Sequence, residues 1–276
     1  MLEILKYRNH LGEGISFGQD GFFVNKNDLR DFTWGYTSKN NRLSSFQKGV
    51  VKKSLTVMIA CNSEAEGIAK RNALFEICEK DVLAKNHGKI IIGDYYMKCF
   101  VVGSKKAEYL YSKRCMKVSL TIVTDFPVWV KESTTIFRIE GEGGSAEGLY
   151  LDYPYDFPFD YAFELAKQNL INGDFVATNF RLVIYGACSN PRIFIGGHEY
   201  LINTDVGSGE YLVIDSSEKT IMLVRSNGEK VNCFNSRNRG SYVFEKIPVG
   251  ANAVTWEGDF GFDVTLLEER SEPKWT

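Results

Sequence analysis

The chain has 276 residues, of which 44% are hydrophobic, 25% charged and 13% aromatic. That length suits two ordinary domains, each large enough for its own core, and the composition excludes bulk disorder. The opening MLEILKYRNH places charge too early for a secretion signal, and no stretch approaches the roughly 20 apolar residues of a membrane span.

The net charge of −2 hides an asymmetry. Residues 1–131 hold 21 Lys+Arg against 13 Asp+Glu, a balance of +8, whereas residues 132–276 hold 12 against 22, a balance of −10. Two readings stand: drift between two solvated surfaces, or opposite faces that orient copies or partners as they stack. The basic residues are dispersed, not gathered in the stripe that tracks phosphates, so no specific nucleic-acid binding is expected. The six cysteines (Cys61, Cys78, Cys99, Cys115, Cys188, Cys233) include no C-x-x-C pair. In an unsecreted chain of this size they read as reduced, partly buried thiols of a protein made in a reducing cytosol.

In chain order, the first strong element is residues 50–60 (VVKKSLTVMIA), where Leu55, Val57 and Ile59 alternate with Ser54, Thr56 and Met58. Before it, residues 37–49 (TSKNNRLSSFQKG) form a long, polar, basic stretch without evident structure. It reads either as a plain loop or, preferably, as an arm reaching a neighbouring subunit, with Lys39, Arg42, Phe46 and Lys48 as its candidate contacts. A helix follows at Ser63, where Ser63-x-x-Glu66 is a capping box, Ile68, Phe75, Cys78 and Val82 recur at helical spacing, and Gly88 stands ready to end the element. Residues 89–102 (KIIIGDYYMKCFVV) predict a hairpin turning at Gly93-Asp94, separated by the polar residues 104–106 from an alternating strand at 115–124 (CMKVSLTIVT). Pro127 closes that run.

A composition break follows, with Gly141, Gly143, Gly144 and Gly148 among acidic residues. Beyond it come short runs punctuated by turns: 192–202 (RIFIGGHEYLI), 210–215 (EYLVID), 220–225 (TIMLVR), the Asn227-Gly228 turn, 242–250 (YVFEKIPVG) and 262–270 (FDVTLLEER). That spacing, with no helix except a weak candidate at 163–170, predicts a β-sandwich. Both halves finish a strand with Pro-x-Trp, at Pro127 to Trp129 and at Pro273 to Trp275, which supports a boundary near residue 131.

Chemical signatures are lacking. There is no P-loop or nucleophile elbow, and Gly12-Glu13-Gly14 has neither the strand nor the spacing of a dinucleotide fingerprint. His10, His87 and His198 are far apart, and no cysteine–histidine set has metal-site spacing. No catalytic, cofactor-binding or metal residue is therefore assigned. The segment 153–163 (YPYDFPFDYAF) places an aromatic ring at every second position, with prolines and acids between. Three uses compete: a stiff connector whose rings pack on its own domain, a sugar platform through Tyr153, Tyr155, Phe157 and Phe159, or carboxylates serving a glycosidase or a cation. The connector is preferred, because a proline-stiffened run of evenly spaced acids suggests no catalytic cleft.

The segments YPYDFPFDY (153–161), NPRIFIGGHEYL (190–201), KIPVGANAV (246–254) and EERSEPKW (268–275) resemble the second half of siphophage distal tail (Dit-like) proteins. The first half, with its strand, capped helix, hairpin and strand closing on DFPVW (125–129), resembles the N-terminal domain of the same family. The resemblance implies a mainly β fold: an N-terminal β-sandwich or split barrel with one α-helix over 1–131, then a galectin-like, jelly-roll type β-sandwich over 132–276, entered through 140–163. It also implies a homohexameric ring in the virion tail or a phage-derived bacteriocin. Such a ring joins the tail tube protein to the tail-tip hub, supports receptor-binding proteins and has no enzymatic activity. The rival reading is a carbohydrate-binding protein that meets host cell-surface glycans through the C-terminal sandwich.

Overall fold

The computed structural model describes residues 5–109, 114–138 and 168–275. The aromatic segment with Tyr153, Tyr155, Phe157 and Phe159 lies outside the described residues, as does the glycine-rich break before it. The chain divides into two compact units, residues 1–131 with 269–276 and residues 132–268. The last eight residues thus return to the first unit, whereas the sequence reading carried the second domain through residue 276.

The first unit contains β1 (Leu5–Arg8), β2 (Gly14–Phe17), β3 (Phe22–Asn27), β4 (Gly35–Lys39), β5 (Arg42–Gln47), β6 (Val51–Ala60), α1 (Glu64–Ala84), β7 (Gly88–Ile92), β8 (Tyr95–Tyr109), β9 (Cys115–Thr124) and the start of β10 (Trp129–Phe137). Strand β8 organises it. Its first residues pair with β7, which continues through β1 to β2, while its later residues pair with β9, which continues through β6 to β3. Register shifts at Val101/Gly103 and Lys106/Glu108 let one long strand serve both sheets, since a bulge bends and twists the strand that carries it. The polar residues 104–106, expected to lie between strands, are thus inside β8. The alternation in β6 and β9 is realised as anticipated: Leu55, Val57 and Ile59 face Met116, Val118, Leu120 and Ile122 in one buried cluster. All pairings here are antiparallel.

Helix α1 packs against β8 and β6. Its N-terminus is capped at the expected residues: Ser63 Oγ accepts the Glu66 N–H at 3.2 Å, and Glu66 Oε2 reaches back one residue beyond the N-cap to accept the Asn62 N–H at 3.2 Å. Such a cap contributes about 1 kcal/mol. The buried face comprises Gly67, Leu74, Cys78 and Asp81, so it is rotated from the expected stripe, and Ile68 and Val82 are exposed. The helix ends with Lys85 in the left-handed region, φ 54°, and not at Gly88. Gly88 is glycine for another reason. A Cβ there would collide with Asp81 Oδ2 and Tyr7 Oη. Those two groups form a buried hydrogen bond of 2.5 Å, and the other Asp81 oxygen accepts the His10 N–H at 2.8 Å and lies 2.6 Å from His10 Nδ1. Burial, with the Asp81 contact second, pushes the Tyr7 phenol well above its ordinary value.

The second unit contains the end of β10, then β11 (Gln168–Asn172), β12 (Asn179–Tyr185), β13 (Cys188–Ser189), β14 (Arg192–Ile195), β15 (His198–Leu201), β16 (Asp205–Val206), β17 (Tyr211–Asp215), β18 (Thr220–Val224), β19 (Lys230–Asn232), the short 3-10 turn η1 (Phe234–Ser236), β20 (Gly250–Trp256) and most of β21 (Phe262–Arg270). One sheet runs β19-β18-β17-β12-β21 and reaches β10; the other runs β11-β20-β14-β15. Their inner faces share one core around Phe180, Trp256 and Phe262, with Phe137 stacked on Phe262 at 4.7 Å and Trp256 edge-on to Phe262 at 5.1 Å. The protein is therefore mainly β, a sandwich architecture with α1 as the one α-helix among the described residues.

Two expectations fail here. Residues 242–249 are a turn in which the Glu245 N–H reaches the Tyr242 carbonyl at 3.0 Å; only Ile247 makes a bridge, to Thr178. Val243 and Phe244 are both buried, so alternation is broken where a strand would need it. Residues 168–170 of the weak helix candidate are strand, and the remainder lies outside the described residues.

Candidate assembly surface

Residues 37–49 are not an irregular loop. Strands β4 and β5 form a hairpin in the registers Gly35↔Gln47, Tyr36↔Phe46, Thr37↔Ser45, Ser38↔Leu43 and Lys39↔Arg42. Its two-residue turn is Asn40-Asn41, with φ 52° and 59°. Both values lie in the left-handed region, which primed hairpin turns require and asparagine tolerates. The sequence carries that signal as an asparagine pair between strand-length runs. Ser44 is the extra residue of a bulge, and the Thr37 hydroxyl lies 2.8 Å from Ser44 Oγ and 2.7 Å from Ser45 Oγ.

Every residue of β4 and β5 is exposed. Tyr36 is 66% exposed, and Leu43 and Phe46 are each 59% exposed. Neither strand pairs with any other described strand. An isolated two-stranded hairpin is marginally stable in water, and its open edges are templates for another chain. At the tip, Lys39 and Arg42 stand directly opposite each other, an unfavourable like-charge pair. Neither makes an ion pair among the described residues. The hairpin therefore offers an apolar side and a positive tip.

Lys48 belongs to the foot of this hairpin. Its Nζ donates to Ser271 Oγ at 2.8 Å and stands 4.4 Å from the centre of the Trp34 ring. Burial holds its pKa below the ordinary lysine value, against the raising effect of Glu269. Of the four candidate arm residues, Lys39, Arg42 and Phe46 are thus on the projection and Lys48 is a fastener within the subunit. A second fastening lies beside it. Arg30 donates to the Pro273 carbonyl at 2.7 Å and stands 3.7 Å over the Trp275 ring. Lys53, buried, donates to the Asp28 carbonyl at 3.1 Å and also to that of Asp31. Sequence reasoning missed these contacts because their partners lie up to 243 residues apart. The two Pro-x-Trp echoes also differ in place, for Trp129 is 1% exposed and Trp275 is 75% exposed.

Chemistry-bearing side chains are otherwise dispersed. His87 pairs with Asp125 at 2.9 Å, and His198 Nε2 donates to the Tyr242 carbonyl at 2.9 Å. Among the described residues no group of three or more His, Cys, Asp or Glu is placed to hold a metal ion. All six cysteines are unpaired, and burial pushes the Cys78 and Cys99 thiols up to about 12.

No family model and no curated protein matches the chain. Solved structures do. The Dit protein (gp 19.1) of phage SPP1, described as a paradigm of the hub adsorption apparatus in phages infecting Gram-positive bacteria, has 9% identity and a TM-score of 0.58, over 98% of this chain and 99% of that one. Structures of the phage P2 baseplate in its activated conformation, with Ca and with Sr, each contain a chain of 12% identity and TM-score 0.64, over 99% of this chain and 100% of that one. At such identities the likeness is one of fold: the chain has the Dit-like fold shared by the SPP1 Dit protein and these P2 baseplate chains.

Proposed function

We propose that this protein is a structural subunit of a phage tail tip or baseplate, in which identical copies close into a ring. The observation that carries this reading is the extent of the fold likeness, which spans nearly the whole of both chains and therefore both units. In this reading residues 1–131 with 269–276 form the ring, most simply a hexamer, and residues 132–268 face outward as a galectin-like sandwich. The ring joins the tail tube to the tail-tip hub and supports host-recognition proteins at the distal end of the virion tail. The role is architectural, not enzymatic.

The β4–β5 hairpin supports it independently. A closed ring needs heterologous contacts, in which a projection on one copy meets a different surface on the next. Exposed Tyr36, Leu43 and Phe46 beside an unpaired positive tip supply such a projection. Native mass spectrometry and negatively stained images of the full chain test the proposal. The expected result is an annulus whose mass is six times the 31.3 kDa of one chain. Deleting residues 39–48 should shift that mass toward the single chain. A wild-type protein that stays monomeric at high concentration ends the ring reading, and an unchanged mass after the deletion ends the arm.

A further inference from the structure

Residues 132–276 carry a balance of −10, yet one concavity of the second unit is basic. It has a volume of 470 Å³ and is lined by Lys219, Arg237 and Arg239 together with Phe234, Tyr242 and Phe244; no carboxylate lines it. The residues come from three places in the chain: the turn between β17 and β18, the 3-10 turn η1, and the connection that follows it. Three cations gathered in a domain of opposite sign repel one another, and only Arg237 among them makes a hydrogen bond or ring contact with the described residues of the sandwich.

The pocket is stiff. Arg237 Nη1 donates to the Phe234 carbonyl at 2.6 Å, and its guanidinium lies 3.9 Å over the Phe234 ring, which itself stacks on Phe244 at 6.0 Å. Asn238 is held from two sides, its N–H by the Leu201 carbonyl at 3.0 Å and its amide by Glu199 Oε2 at 3.0 Å. Ser241 Oγ donates to the Glu199 carbonyl at 3.0 Å, and the Tyr242 carbonyl accepts from His198. Against this frame two cations are unused: Lys219 and Arg239 are exposed and make no hydrogen bond or ion pair among the described residues. The Tyr242 ring, edge-on to Phe244 at 5.9 Å, is 51% exposed.

We propose that this pocket is a binding site for an acidic saccharide. The exposed tyrosine offers a flat apolar face for the C–H face of a sugar ring, and the lysine and arginines hold the phosphate or carboxylate that the sugar bears. Forked guanidinium donors match either acid, and the one already fixed, that of Arg237, lowers the entropic cost of binding. The volume is that of a small-ligand site. A long nucleic acid fits poorly, because its backbone beyond the pocket meets a domain of net negative charge. The site is independent of ring assembly, so a monomeric protein and a failed saccharide test are separate results.

Calorimetric titration of the full chain tests the site with five probes: an oligosaccharide linked by phosphodiesters, a uronate oligosaccharide, a neutral oligosaccharide of equal length, an oligoglutamate peptide, and inorganic phosphate. At least one acidic saccharide binds, about tenfold or more tighter than the neutral one, and the two acidic arms tell which acid is preferred. The double variant Lys219→Gln with Arg239→Gln weakens that binding about tenfold while the unfolding midpoint and native mass stay unchanged. Tyr242→Ala weakens saccharide binding and leaves the weaker binding of inorganic phosphate alone. Equal binding of neutral and acidic sugars, an unaffected double variant, or oligoglutamate bound as tightly as the saccharides each overturns the proposal.

Discussion

The β4–β5 and β14–β15 hairpins are built from the same local device and end in opposite circumstances. Each closes with two residues in the left-handed region: Asn40-Asn41 at φ 52° and 59°, and Gly196-Gly197 at φ 59° and 83°. Each brings its flanking residues into direct register, Lys39 with Arg42 and Ile195 with His198. Yet β14 is joined on its far edge by β20 and buries Ile193 and Ile195, whereas β4 and β5 bury nothing. Turn chemistry is thus enough to specify a hairpin, and the third strand decides whether its apolar side chains are satisfied within the subunit. Tyr36, Leu43 and Phe46 are the side chains left over.

The largest effects should fall on the integrated hairpin. Ile193 is fully buried between the sheets, and Ile193→Ala should cost about 2–5 kcal/mol in denaturant unfolding, from lost burial and the cavity left behind. A cost under about 1 kcal/mol would mean that the sandwich does not close over this strand. The turns separate the hairpins next. A Cβ on Gly196 would lie 2.7 Å from Asn252 Oδ1, and Asn252 is held by its amide to the Pro248 and Gly250 carbonyls at 2.9 and 3.0 Å. Gly196→Ala should therefore cost about 1–3 kcal/mol. Asn41→Gly in the projecting hairpin keeps a compatible backbone, and the same unfolding curves should move by no more than about 0.5 kcal/mol. Equal costs at the two turns would erase the distinction.

How much of this was legible depended on sequence distance. Strands β6 and β9 and the Ser63 cap announced themselves because their signals repeat every second residue or complete within four. The buried face of α1 is not legible in this way: Asp81 is inside the fold, held by Tyr7 and His10 from more than 70 residues away, and no helical stripe of apolar residues foretells a buried carboxylate. Gly88 looked like a helix stop, and its real constraint is that same pair pressing on it from outside its own element. At the candidate surface the basic and apolar content of the arm was readable, but its pairing was not, because the bulge at Ser44 breaks strict alternation. Lys48 could not be separated from Lys39 without its contact to Ser271, 223 residues away. The basic pocket joins residues 219–244 through turns whose packing no local pattern encodes.

The smallest expected effect on the fold is also the sharpest probe of what the projecting hairpin is for. Tyr36 and Phe46 face each other across the strands with most of their surface in water, so exchanging both for serine removes little that the isolated subunit uses. At a concentration low enough to keep the chain monomeric, Tyr36→Ser with Phe46→Ser should shift denaturant unfolding by no more than about 0.5 kcal/mol. At a concentration where wild-type copies associate, the same variant should lose native mass, and its melting temperature should no longer rise with concentration, because only contacts made in the assembly stabilise it by mass action. A loss above about 1 kcal/mol in the monomer would show that the rings pack within one subunit. An unaltered assembly would show that the contact between copies lies elsewhere.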